Sequence, residues 1–216
     1  FKFPKDFLWG AATSAHQVEG SNHNDWTEWE KENAARLSKK NEGKYPPENF
    51  ISGRACDHYS RYEEDFDLAK KLGHNTHRFS IEWSRIEPEE GKFSELEIEH
   101  YRSVIRALRA RGLEPFVTLW HWTMPTWFVE IGAFEKRANI EYFARFCQRI
   151  VKKFSGEVTF WITINEPEIY AGNSYLKGVW PPQNKNFISY IKVLTNLIKS
   201  HKNIYEIIKK YDSKAQ

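Results

Sequence analysis

Two periods alternate along this chain, and their alternation predicts its architecture. Short apolar runs at residues 7–11, 76–81, 115–120 and 158–164 are strand-like, while the stretches between them carry apolar side chains at helical spacing. Asp57 stands as an N-cap before Tyr59, Tyr62, Phe66, Ala69 and Leu72, and Gly73 ends that helix. Ser94 and Glu97 form a capping box that opens a helix with Ile98, Tyr101, Val104, Ile105 and Leu108 inward and Gly112 at its end. Residues 140–154 predict a third helix, with Phe143, Phe146, Cys147, Ile150 and Val151 on its inner face, and residues 187–211 predict a long last one. The segment from Glu19 to Arg54 is polar, is broken by Gly43, Pro46, Pro47 and Gly53, and reads as a long loop that is either functional or partly ordered by short helices.

Strands alternating with helices require a parallel sheet with right-handed crossovers. No Gly-rich phosphate loop follows the first strand to signal a doubly wound sheet. The expected fold is therefore α/β, of the (β/α)8 TIM-barrel type with only the first four β/α units present. Such a half-barrel makes residues 1–216 a single, incomplete domain.

Composition narrows the functions without selecting one. A chain of 216 residues can bury one sizeable core. Aromatic residues make up 16%, nine of them Trp, and several stand beside His or Pro at strand ends, where a sugar ring can stack. The 32 basic and 29 acidic residues leave a net charge of +3, spread over helix faces such as Lys70-Lys71 and Lys209-Lys210, which argues against nucleic acid. No apolar run approaches a membrane span, and the first residues lack the layout of a signal peptide, so no membrane partner and a cytoplasmic location are expected. Cys56 and Cys147 lie far apart without a CxxC companion and are expected as free thiols in a reducing compartment. Asp25, Glu28 and Glu30 lack His or Cys at ligand spacing and read as a solvated face, so no metal or cofactor is expected.

Candidate chemistry gathers where strands end: Arg78, His121, Asn165 and Glu166. The apolar run 158–162 closes on Thr163-Ile164-Asn165-Glu166-Pro167, which sets a carboxylate at the rim of a sheet with a proline stopping the strand. A rim carboxylate held by apolar walls is one whose pKa can rise enough for it to act as an acid. The same residues have plainer readings: Glu166 as a solvated strand end, Arg78 as the neutraliser of a buried carboxylate, His121 as a satisfied core histidine, and Gln17 as a polar loop residue.

Residues 7–20 (Phe-Leu-Trp-Gly-Ala-Ala-Thr-Ser-Ala-His-Gln-Val-Glu-Gly), followed in order by Cys56-Asp57-His58-Tyr59, Arg78 to Arg85, His121-Trp122 and Asn165-Glu166-Pro167, resemble glycoside hydrolase family 1, the β-glucosidase and β-galactosidase group. His16 stands where Tyr or Phe is more usual. The resemblance covers essentially the whole chain, and what it implies is retaining hydrolysis of β-linked glucosides. Glu166 would be the acid/base, Asn165 would hold the sugar 2-hydroxyl, and Arg78 would keep a nucleophilic carboxylate ionised. Gln17, His121 and Trp122 would bind the sugar. Trp180, before Pro181 and Pro182, would either offer an aglycone platform or pack in a turn.

The family's second carboxylate, expected within a Glu-Asn-Gly-like motif on a seventh strand, is absent, since Glu32-Asn33 and Glu48-Asn49 are not followed by Gly. The sequence stops where a fifth strand is expected, so the chain is expected to be an acid/base half that is inactive alone. Expected partners are a β-glucoside or short β-linked oligosaccharide and, for the open barrel, a second copy or a complementary C-terminal half. A sugar-binding or interaction module, or an inert fragment, is the alternative.

Overall fold

The computed structural model describes residues 2–216. Strands β1 (Gly10–Ala12), β2 (Thr76–Ser80), β3 (Glu114–Thr118) and β4 (Phe160–Ile162) lie in chain order in one parallel sheet. Ala12 pairs with Arg78, Ser80 with Thr118, and Thr118 with Ile162, so the strands' C-terminal ends share one rim. The helices are α1 (Ala15–Val18), α2 (Asp25–Lys40), α3 (His58–Lys71), α4 (Trp83–Ile86), α5 (Glu95–Ala110), α6 (Thr126–Glu130), α7 (Ile140–Phe154), α8 (Pro167–Ala171) and α9 (Phe187–Tyr211). Repeated β/α units around a parallel sheet give the half-barrel that the periodicity predicts.

The core lies between the sheet and its helices. Trp83 packs on Phe128 (ring centroids 4.6 Å), Phe146 (5.1 Å) and Phe143 (5.4 Å), all of them buried. Phe143, Phe146, Cys147, Ile150 and Val151 are buried as the 3.6-residue spacing requires. The outer strands are β1 and β4, and all three residues of β1 are exposed. At the other edge the Gln216 amide donates to the Thr159 carbonyl (2.7 Å), and the Trp161 amide donates to the Gln216 carbonyl (2.8 Å). That pair of bonds is the start of a further parallel ladder beside β4.

Several elements differ from expectation. The first strand begins at Gly10, and Phe7, Leu8 and Trp9 lie before it, exposed, with Phe3, Phe7 and Trp9 clustered. Gly10 is needed there, because a Cβ would sit 2.3 Å from the Thr76 carbonyl oxygen. The polar segment holds a 16-residue helix, α2, capped by Asn24, whose side chain accepts the Thr27 amide while the Thr27 side chain takes the Asn24 amide. Asp57 occupies the N-cap of α3 but adopts a left-handed conformation (φ 58°), and its carboxylate takes Arg54 instead of a helix amide. Leu72, the last of the apolar positions at helical spacing there, is exposed. Ser94 caps Glu97, yet the Glu97 carboxylate accepts the Tyr59 hydroxyl, so half of that capping box is present.

Candidate active site

The rim collects side chains from β2 and β3 and from the segments that follow β3 and β4. Arg78, on β2, donates from Nε to the Thr118 hydroxyl (2.9 Å) and from Nη2 to Asn165 Oδ1 (2.5 Å). With its oxygen taken by Arg78, the Asn165 amide turns its Nδ2 toward His121 Nε2 at 3.4 Å. His121 therefore accepts at Nε2 and carries its hydrogen on Nδ1. Burial, with the Arg78 charge second, pushes the imidazole down to about 4, so His121 stays neutral at ordinary pH. The Asn165 backbone is tied on both sides: its N–H donates to the Trp120 carbonyl (3.0 Å), and its carbonyl accepts the Trp122 indole N–H (3.0 Å). Arg78, His121 and Asn165 thus form one hydrogen-bonded chain across β2, β3 and β4.

Glu166 follows directly, in the left-handed region (φ 42°) at the N-cap of α8, with Pro167 opening the helix. A non-glycine residue held there carries backbone strain of the kind that clusters at functional sites. Its side chain is exposed at the open rim, not enclosed by apolar walls as the strand end suggests, because among the described residues no further strand pairs beside β4 at that level. Burial lowers the Arg78 pKa, and the Glu166 charge opposes that fall. The carboxylate accordingly shares the electrostatic field of the chain Arg78–Asn165–His121.

Gln17, from α1, is exposed, with its Oε1 accepting the Ser14 hydroxyl (2.7 Å). It lines a small cleft with His16, Trp26, His121, Trp122 and Thr123. Trp122 is held at φ 77°, also left-handed. Trp180 packs on Trp122 (4.7 Å) and edge-on to Trp26 (5.3 Å), so it joins an aromatic wall shared with the cleft and does not stand alone as a platform. Trp26 is the residue that sequence reasoning missed. Its ring lies near parallel to Trp122 (6.4 Å, 20°), and its indole N–H is buried without a partner. The density of Trp in Asp25-Trp26-Thr27-Glu28-Trp29 was the available signal.

Beneath the rim lies a buried charge network. Glu19 accepts the Arg85 Nε–H (2.9 Å) and the Tyr101 hydroxyl (2.8 Å), and Arg85 also donates to the Gly20 carbonyl (2.7 Å). Gly20 allows this: its φ is +82°, and a Cβ there would meet the Arg54 carbonyl at 2.0 Å. Fully buried Glu82 accepts the Ser84 (2.8 Å) and Thr123 (2.9 Å) hydroxyls. The acidic trio of α2 is not a uniform solvated face. Asp25 accepts the Met124 amide, Glu30 is buried against His16 and Ser52, and Glu28 pairs with Lys31 at the surface. Among the described residues, no group of three or more His, Cys, Asp or Glu is placed to hold a metal ion.

Burial, the largest influence, raises Glu19 to about 7 despite Arg85, and raises Asp25 to about 7 despite the Met124 amide. An acid whose folded pKa exceeds its unfolded value stabilises the fold below the unfolded value and loses that contribution as pH rises through the folded one. The contribution of Glu19 and Asp25 to stability is therefore expected to be lost between about pH 4 and 7. Against it stands that of His77, His100 and His121, which burial holds at about 4 and whose contribution grows with pH over much of that range. Urea midpoints of the unmodified chain and of Glu19→Gln at pH 5 and pH 8 check this: the variant should gain stability relative to the unmodified chain as pH rises, and a difference independent of pH would contradict it.

The family model described as glycosyl hydrolase family 1 matches residues 1–216. The chain is 33% identical to β-glucosidase A of Acetivibrio thermocellus over 99% of its own length and 47% of that protein. It is likewise 33% identical to β-glucosidase A of Thermotoga maritima, over 96% of this chain and 46% of that one. A solved β-glycosidase from Pyrococcus horikoshii aligns at TM-score 0.85 and 38% identity, covering 98% of this chain and 47% of that structure. The T. maritima β-glucosidase in complex with glucoimidazole aligns at TM-score 0.89 and 30% identity, over 100% and 48%. The chain spans about half the length of the curated relatives it matches. With strand order, motif order and the family match all running over its full length, the chain belongs to glycosyl hydrolase family 1.

Proposed function

We propose that this chain is the acid/base half of a retaining β-glycosidase that hydrolyses β-linked glucosides, inactive until a complementary C-terminal half closes the barrel. The observation that carries the reading is the chain Arg78–Asn165–His121 set beside Glu166 at one rim. Glu166 protonates the departing glycosidic oxygen and then takes a proton from water, Asn165 holds the sugar 2-hydroxyl, and Gln17, His121 and Trp122 grip the glycone. Arg78 supports the ionised nucleophile, which the complementary half supplies. The open edges at β1 and β4, with Gln216 already paired beside β4, favour a partner that completes the sheet. Mixing the chain with the fifth to eighth β/α units of a relative should restore aryl-β-glucoside hydrolysis. No turnover from a soluble, associated pair would sink the reading.

The Trp26–Trp122–Trp180 wall, with the unpartnered Trp26 indole N–H, favours a second reading, sugar binding by the chain alone. Titrating glucose against tryptophan fluorescence tests it, and a flat titration excludes it. The free thiols at Cys56, exposed, and Cys147, buried, support a cytoplasmic setting.

A further inference from the structure

His16 lies inside the segment from Phe7 to Gly20, and its surroundings fix its chemistry. The imidazole is buried, lines the cleft beside Gln17, His121 and Trp122, and lies 6.0 Å from the Trp26 ring. Its Nε2 stands 2.9 Å from Glu30 Oε1, while Glu30 Oε2 accepts both the amide and the hydroxyl of Ser52 at 2.8 Å. Its Nδ1 faces Asn24 Nδ2 at 3.3 Å. That amide cannot be turned round, because its Oδ1 accepts the Thr27 backbone N–H (3.0 Å) as the cap of α2. An NH2 group only donates, so Nδ1 must accept, and the imidazole hydrogen sits on Nε2, donated to Glu30.

We propose that the Asn24 cap holds His16 as the neutral Nε2–H imidazole and makes it a positioning residue for the cleft wall carrying Gln17 and Trp26, so that a second proton on His16 breaks the cap and loosens that wall. The consequence for sugar binding rests on the function proposed above; the switch itself does not. Burial pushes the imidazole down, but the Glu30 hydrogen bond and charge, with Glu82 and Asp25 adding theirs, leave it above the ordinary histidine value. The proton is thus taken up without strong acid. The lone pair that receives it is on Nδ1, where it meets the Asn24 N–H donors. Asn24, fully buried, must flip away from Thr27 or withdraw, and either move releases the first turn of α2, on which Trp26 sits.

Nitrogen-15 NMR on the full chain reads both halves of the proposal. Above the titration, His16 should show the Nε2–H tautomer. As pH falls, the Thr27 amide resonance should shift with the same midpoint as the imidazole. Asn24→Asp keeps a good helix cap but gives Nδ1–H an acceptor, so it should raise the His16 midpoint by about one pH unit or more and uncouple Thr27 from it. An Nδ1–H tautomer, a Thr27 amide silent through the titration, or an unmoved midpoint in Asn24→Asp each overturns the proposal. Should that variant fail to fold, the tautomer and the Thr27 amide of the unmodified chain decide alone. Since no sugar is needed, failure here and failure of the glycosidase reading are separate results.

Discussion

In a barrel completed by its complementary half, Glu166→Gln is expected to slow cleavage of alkyl β-glucosides by about 10²–10⁴-fold in kcat/KM. Nitrophenyl β-glucosides should lose far less in the same quantity. The amide matches the carboxyl in shape and keeps the left-handed turn before Pro167, so sugar binding should survive. What the proposed role would lose is proton delivery to the departing oxygen, which only a poor leaving group needs. Rates measured across a series of aglycones make the test. An equal loss for activated and unactivated substrates would show that the acid is another residue.

Arg85→Met is expected to destabilise the fold by about 3–5 kcal/mol at pH 8, because it leaves the Glu19 carboxylate buried with no cation beside it. The effect should shrink at pH 5. There Glu19, with its pKa near 7, is already protonated, and little charge remains to be stranded. Denaturant midpoints for the variant at both pH values, set against Glu19→Gln/Arg85→Met, separate the two contributions. The double variant should recover part of the loss at pH 8, since neither charge is then present. A loss independent of pH would mean that Arg85 acts through its packing on the Tyr59 ring rather than through its charge.

The parts of the fold that are driven by apolar burial were legible in the sequence. Helices α7 and α9 end where the spacing puts them, β2 lies within its predicted run and β3 begins one residue before its own, because each element buries a regular apolar face. Helix α2 was not legible. It buries Glu30, Asn33 and Ser38 as well as Ala34, and it holds them with hydrogen bonds that leave no hydrophobic period to read. The exposed aromatics Phe7 and Trp9 imitate a strand, while the real one starts at Gly10, where the limit is the approach of the Thr76 carbonyl. At the candidate site, His121, Asn165 and Glu166 follow from their places just past strand ends, whereas Arg78 lies in the middle of β2. Trp26 does not, because its meeting with Trp122 and Trp180 joins positions distant in the chain. The exposure of Glu166 was likewise hidden, since it depends on which neighbours β4 lacks, not on the residues flanking the carboxylate.

The ladder between Gln216 and β4 has a practical corollary for anyone who handles this polypeptide. Residues appended after Gln216 would continue alongside Ile162 and Ile164, in the direction β4 runs, and emerge at the mouth that presents Asn165 and Glu166. An affinity handle fused there would crowd the very entrance being assayed.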